Sequence, residues 1–235
     1  MRKNELSIEQ KKADKDLNII IYATLISLIV YLIFGNDIMN FAKTSEMNIW
    51  LRFIPVMLLQ FGLAGLGSLI VICYRKEKLK EYGLVKNNFF KTVILSLVVC
   101  IPSMIFMLVN NEINSYLPLK GCFFTNLFLN SNYPTNILGY ILIAFVWGIL
   151  EGFNYVVISK KINERYISQN KWLNYGAIVS GLFCVLIHGM VGFDLYTIFE
   201  ALTTFIIIYG MLIVKEKTNN AWGCIFIFLF FWNAI

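Results

Sequence analysis

The sequence predicts an all-α fold, a polytopic transmembrane bundle of about seven helices, and three observations carry that prediction. The first is composition: the 235 residues are 58% hydrophobic and only 14% charged, with a mean hydropathy of +0.69, where a soluble domain carries about 25% charged residues. The second is where charge is missing. Uncharged stretches run at 17–36, 53–74, 92–111, 121–150, 172–193 and 218–235, several of them near the roughly 20 residues that a helix needs to cross a bilayer. The third is where charge collects. Four segments that alternate with the others hold 17 of the 20 Lys and Arg; the alternate segments hold only Lys43, Arg52 and Lys120. An asymmetry of this kind sets orientation. It predicts a cytoplasmic N-terminus and a multi-pass protein of the cell membrane. The net charge of +6 is accounted for by orientation, so no nucleic-acid partner is called for; the expected partner is the lipid bilayer.

Taken in order, residues 1–16, MRKNELSIEQKKADKD, mix both signs of charge and lead into an apolar run with no small-residue cleavage site. They read as a cytoplasmic tail and not as a signal peptide. Spans are expected near 17–36, 49–74, 92–110, 137–159, 172–193, 195–214 and 221–235. Within the second, Gly62 to Ser68 (GLAGLGS) would let another helix approach closely. The 110–136 segment is rich in Asn and holds Pro118, Pro134 and the apolar patch GCFFTNLFL, which predicts an external loop with a re-entrant or interfacial piece. The organisation is then a tail (1–16), N-terminal helices with an external loop (17–136) and a core (137–235). The five cysteines form no CxxC pair and read as small buried hydrophobes.

An ionisable group inside a span is costly and marks function. Glu151 lies in ILIAFVWGILEGFNYVVIS, with Trp147, Asn154 and Tyr155 at i−4, i+3 and i+4, so one helix face presents a carboxylate, an amide and a phenol. His188, the single histidine, has Cys184 and Gly181 on its own face. Asn233 lies near the end of the last span, Asp194 and Glu200 near the start of the sixth, and Arg52 is placed to snorkel to the outer interface. The midpoint between Glu151 and His188 falls in the polar turn ERYISQNK, and a symmetric hairpin would set the two groups at one depth. There a carboxylate could act as general base on a water with the imidazole sharing the proton, or the two could simply tie the helices together by hydrogen bonding. A metal site from Glu151, His188, Asp194 and Glu200 has no HExxH or HxxE pattern behind it. A proton-coupled transporter would more commonly show internal repeats. No cofactor is expected.

At these residues the chain resembles the CAAX protease and bacteriocin-processing enzymes, the abortive-infection-type intramembrane peptidases, whose motifs are EExxxR, FxxxH and HxxxN. The first aligns with Glu151 to Val156, the second with Cys184 to His188 and the third with Leu229 to Asn233. Supporting marks are LKEYGL at 79–84 and IYGMLIVKEKTNNAWG at 208–223. The resemblance covers about residues 137–235 and implies that Glu151 and His188 activate water, that Asn233 stabilises the oxyanion, and that the substrate is a membrane protein or lipidated peptide. Four positions depart from the pattern: Gly152 stands for the second Glu, Val156 for the Arg, Cys184 for the Phe and Leu229 for the last His. Losing one oxyanion donor costs about 10²–10³ in rate. Two readings follow, an attenuated intramembrane endopeptidase and a non-catalytic relative that binds a peptide in bacteriocin immunity or regulation. On a regular last helix, Leu229 would point into the cavity one turn from Asn233.

Overall fold

The computed structural model describes residues 6–168, 170 and 173–235, and among them every regular element is helical. Five helices are long and apolar enough to cross a membrane: α1 (Ile8–Thr44), α2 (Ile49–Arg75), α3 (Phe89–Val109), α5 (Thr135–Arg165) and α7 (Leu195–Thr218). Three are shorter: α4 (Thr125–Leu129), α6 (Tyr175–Ile187) and α8 (Trp222–Trp232). The seven apolar segments expected from the sequence are therefore present, but two of them do not span by themselves. At 1.5 Å per residue, α6 and α8 reach about 20 and 16 Å, short of a hydrocarbon core of about 30 Å.

Local chemistry sets these limits. The Asn174 side chain caps the start of α6 by accepting from the Ala177 N–H, and Gly189, at φ +69°, turns the chain away after His188. Helix α1 starts at Ile8, well inside the stretch read as a tail. Ser7 and Gln10 form a capping box there, which satisfies two orphan backbone donors and lets the charged residues that follow join the helix.

Helix α5 is central, with 61% of its apolar window buried against 6% for α1; it packs on α1, α2, α6 and α8, while α3 and α6 pack on α7. The small residues of α2 lie under α1, where a Cβ on Gly67 would stand 2.9 Å from the Ile20 Cα. The four basic segments converge at one end. Arg75 pairs with Asp16 at 2.6 Å, Arg165 with Asp14 at 2.8 Å, and Asn220 donates to the Val85 carbonyl at 2.8 Å. At the far end, the 110–136 segment is packed and not a free loop. Phe124 and Phe128 are buried against Phe53, with ring centroids 5.3 and 4.9 Å away.

Candidate functional site

Three of the apolar helices contain a π-helical turn: Gly62–Leu66 in α2, Ala144–Leu150 in α5 and Phe228–Trp232 in α8. The three turns touch. A Cβ on Gly65 would meet Leu150 at 3.5 Å, and one on Gly148 would meet Leu229 at 2.3 Å, so bare backbone is what lets them approach. Such i→i+5 turns rotate a helix face by one extra residue and recur at functional sites.

Glu151 is the first residue after the turn in α5, and it is 7% exposed. Its Oε2 accepts from the Gln60 Nε2 at 2.9 Å, and Gln60 lies just before the turn in α2. On the next rung the Ser68 hydroxyl donates to the Asn154 Oδ1. At the basic end the Lys161 Nζ meets Asp16 at 3.0 Å and Glu77 at 2.8 Å. Partner numbers rise together, so α2 and α5 run parallel and are joined by a ladder of polar rungs.

His188 sits elsewhere. Its Nδ1 lies 2.9 Å from the Cys184 carbonyl oxygen. That oxygen can only accept, so the contact requires a proton on Nδ1 and leaves Nε2 as the nitrogen outside this bond. The Cys184 thiol, 3.6 Å from Nδ1, consequently has no base to activate it there. The ring stands 5.5 Å from Trp232, which lies 5.4 Å from Phe228, and Phe228 stacks on Tyr155 at 5.5 Å.

No hydrogen bond or ion pair joins Glu151 to His188, and the reason is hairpin register. Gly176 lies directly on Ser159, where a Cβ would be 2.1 Å from the carbonyl oxygen. Eight residues from that contact, about 12 Å along either helix, stand Glu151 on α5 and Cys184 on α6. Glu151 is accordingly level with Cys184, within electrostatic reach of its thiol, and His188 is one turn further on, past the end of the helix. Asn233 is also held apart. Its carbonyl accepts from the Gly121 N–H at 2.9 Å, and that of Ala234 from the Leu117 N–H at 2.9 Å. Because the helix ends at Trp232 and Asn233 leaves it with φ −115° and ψ 30°, Leu229 and Asn233 do not share a face: Leu229 lies over Gly148, and the Asn233 Oδ1 lies beside Gly121.

Comparison of the chain with family models, with curated proteins and with solved structures finds no match.

Other residues singled out from the sequence have local roles. Asp194 caps α7 by accepting from the Thr197 N–H at 3.0 Å and its hydroxyl at 2.7 Å, bonds that hold its carboxyl below the usual carboxylate range. Arg52 donates to the Ala42 carbonyl from Nε at 2.8 Å and Nη2 at 2.5 Å. Among the described residues no group of three or more His, Cys, Asp and Glu is placed to hold a metal ion. Four cysteines are buried and Cys73 is exposed. Gln60 and Ser68 escape sequence reasoning because an uncharged polar residue leaves an apolar run unbroken when runs are cut at charges. Their signal is a side-chain amide and a hydroxyl on either side of a glycine-rich stretch.

Proposed function

We propose that this chain is an intramembrane endopeptidase of the CAAX-protease and bacteriocin-processing type, attenuated by its missing motif residues, in which Glu151 is the general base toward water. The observation that supports this is the state of the carboxylate. It is buried within an apolar helix, no cation pairs with it among the described residues, and a neutral amide donates to its Oε2, a costly placement of the kind that marks function inside a membrane. The Gly176–Ser159 contact holds the His188 imidazole one turn beyond Glu151, so in this arrangement the carboxylate would act on water without His188. The substrate class is a membrane-associated or lipidated peptide.

The test is purified protein incubated with a peptide library and read by mass spectrometry. Wild type is expected to cleave, and Glu151→Gln to cleave about 10²–10⁴-fold more slowly, the usual weight of a general base. Absence of cleavage by wild type would leave the second reading, a non-catalytic peptide-binding protein of immunity or regulation. What favours that reading is the Glu151–Gln60 bond itself, which serves equally as an interhelical tie.

The basic end is assigned to the cytoplasm of a cell membrane. Reporter fusions after residues 85 and 165 are then expected to report cytoplasm, and one near residue 125 the outside. The opposite pattern at two of the three points would reverse the assignment.

A further inference from the structure

A large apolar cavity opens on the α1–α6 side of the bundle. It is a groove of about 900 Å³ between α1 and α6, floored by Ile158 and Ile162 of α5. Its shaft is apolar apart from Thr24 of α1. Most of its polar side chains gather at the mouth on the basic end, where Gln10, Arg165, Tyr166 and Tyr175 line it. A cavity that is polar at one end and largely apolar for the rest of its length fits an amphiphile in one orientation.

Dimensions narrow the class. From Tyr175 to Ile187, the length of α6 that walls the groove, is about 18 Å at 1.5 Å per residue, close to one leaflet of a hydrocarbon core about 30 Å thick. If a methylene takes roughly the 30 Å³ that a water takes in the liquid, the groove has room for about thirty of them, which is two acyl chains of ordinary length. The mouth identifies the head. Arg165 donates from Nε to the Asp14 carboxylate at 2.8 Å, and its two terminal nitrogens make no hydrogen bond among the described residues. A guanidinium offers five donors in a fork that suits phosphate. Acyl chains gain little by leaving the bilayer for an equally apolar groove, so selectivity rests on the phosphate.

We infer that this groove is a binding site for one diacyl phospholipid of the leaflet at the basic end, its chains between α1 and α6 and its phosphate on the free edge of Arg165. The bound lipid completes the wall of the bundle where α1 and α6 leave α5 uncovered, and its chain ends lie against Ile187, next to His188. The site is independent of the peptidase reading.

The experiment is native mass spectrometry of full-length protein purified in detergent, with lipid phosphorus measured on the same samples. Wild type is expected to retain one diacyl phospholipid per chain. Arg165→Gln is expected to lower occupancy about ten-fold at a fixed concentration of added phosphatidylglycerol. Val179→Trp, which fills the groove and leaves the mouth intact, is expected to lower it as well. Asp14→Asn removes the carboxylate that competes for the guanidinium and is expected to raise it, which keeps the inference testable should Arg165→Gln fail to fold. Wild type without lipid, occupancy unchanged in Val179→Trp, a lowered value in Asp14→Asn, or a peptide or second chain retained in the lipid's place would each overturn it.

Discussion

Lys161→Met is expected to destabilise the protein by about 3–5 kcal/mol, the cost of breaking a buried ion pair and leaving its carboxylates uncompensated. Lys161 is 1% exposed and Asp16 0%. The ammonium lies 3.0 Å from Asp16, 2.8 and 3.0 Å from the two oxygens of Glu77 and 3.4 Å from Glu164. Removing it leaves Asp16 to Arg75 alone, and Glu77 to the Tyr82 hydroxyl and the half-exposed Lys12, 3.8 Å away. Its neighbour supplies the contrast. Lys160 pairs at 3.6 Å with Glu164, both partly exposed, an i,i+4 contact of about 0.3–0.5 kcal/mol, and it lies over the Tyr82 ring at 4.2 Å, worth about 0.5–1 kcal/mol. Lys160→Met should therefore cost about 1 kcal/mol. Denaturant unfolding in detergent measures both, and a loss under about 1 kcal/mol for Lys161→Met would refute the account.

The same cluster sets a pH dependence. Burial raises the Glu77 carboxyl, but the Lys161 ammonium and the Tyr82 hydroxyl, both hydrogen-bonded to it, outweigh burial and hold it below its ordinary value of 4.5. A depressed carboxyl contributes stability that is full above its unfolded value and is lost as pH falls through the folded one. The unfolding midpoint should thus hold from pH 7 to about 5 and drop below 4.5. In Lys161→Met the acid-side drop should be smaller, since the main stabilising partner is gone.

Gly176→Ala is the second large effect. The new methyl carbon would stand 2.1 Å from the Ser159 carbonyl oxygen and 2.6 Å from its hydroxyl. A helix carbonyl cannot swing away, so α6 must move, at a cost of about 3 kcal/mol, the upper range for overpacking. Gly65→Ala is the control. Its Cβ would lie 3.5 Å from Leu150, an ordinary contact, and alanine in a helix gains about 0.5–1 kcal/mol over glycine. Thermal unfolding should separate the two variants clearly; equal midpoints would show that the α5–α6 register does not rest on Gly176.

The sequence by itself determined that this is a helical membrane protein with its basic segments at one end. Hydropathy and charge add up along the chain, and helices in lipid must satisfy their own backbone, so local composition is enough. Helix lengths were less legible. The charged residues 8–16 read as a tail because cutting at charges cannot see that Asp14 and Asp16 find Arg165 and Arg75 across the bundle. Tertiary structure alone decided which groups meet. Glu151 could be singled out as a costly residue, but its partner is Gln60 on another helix, and His188 is displaced from it by one turn because glycine at 176 fixes the hairpin register. Asn233 left the face of Leu229 because α8 ends at Trp232 and the next residues are held by the backbone of the 117–121 segment. Register and this helix end come from contacts between distant segments, which no pattern within a single helix encodes.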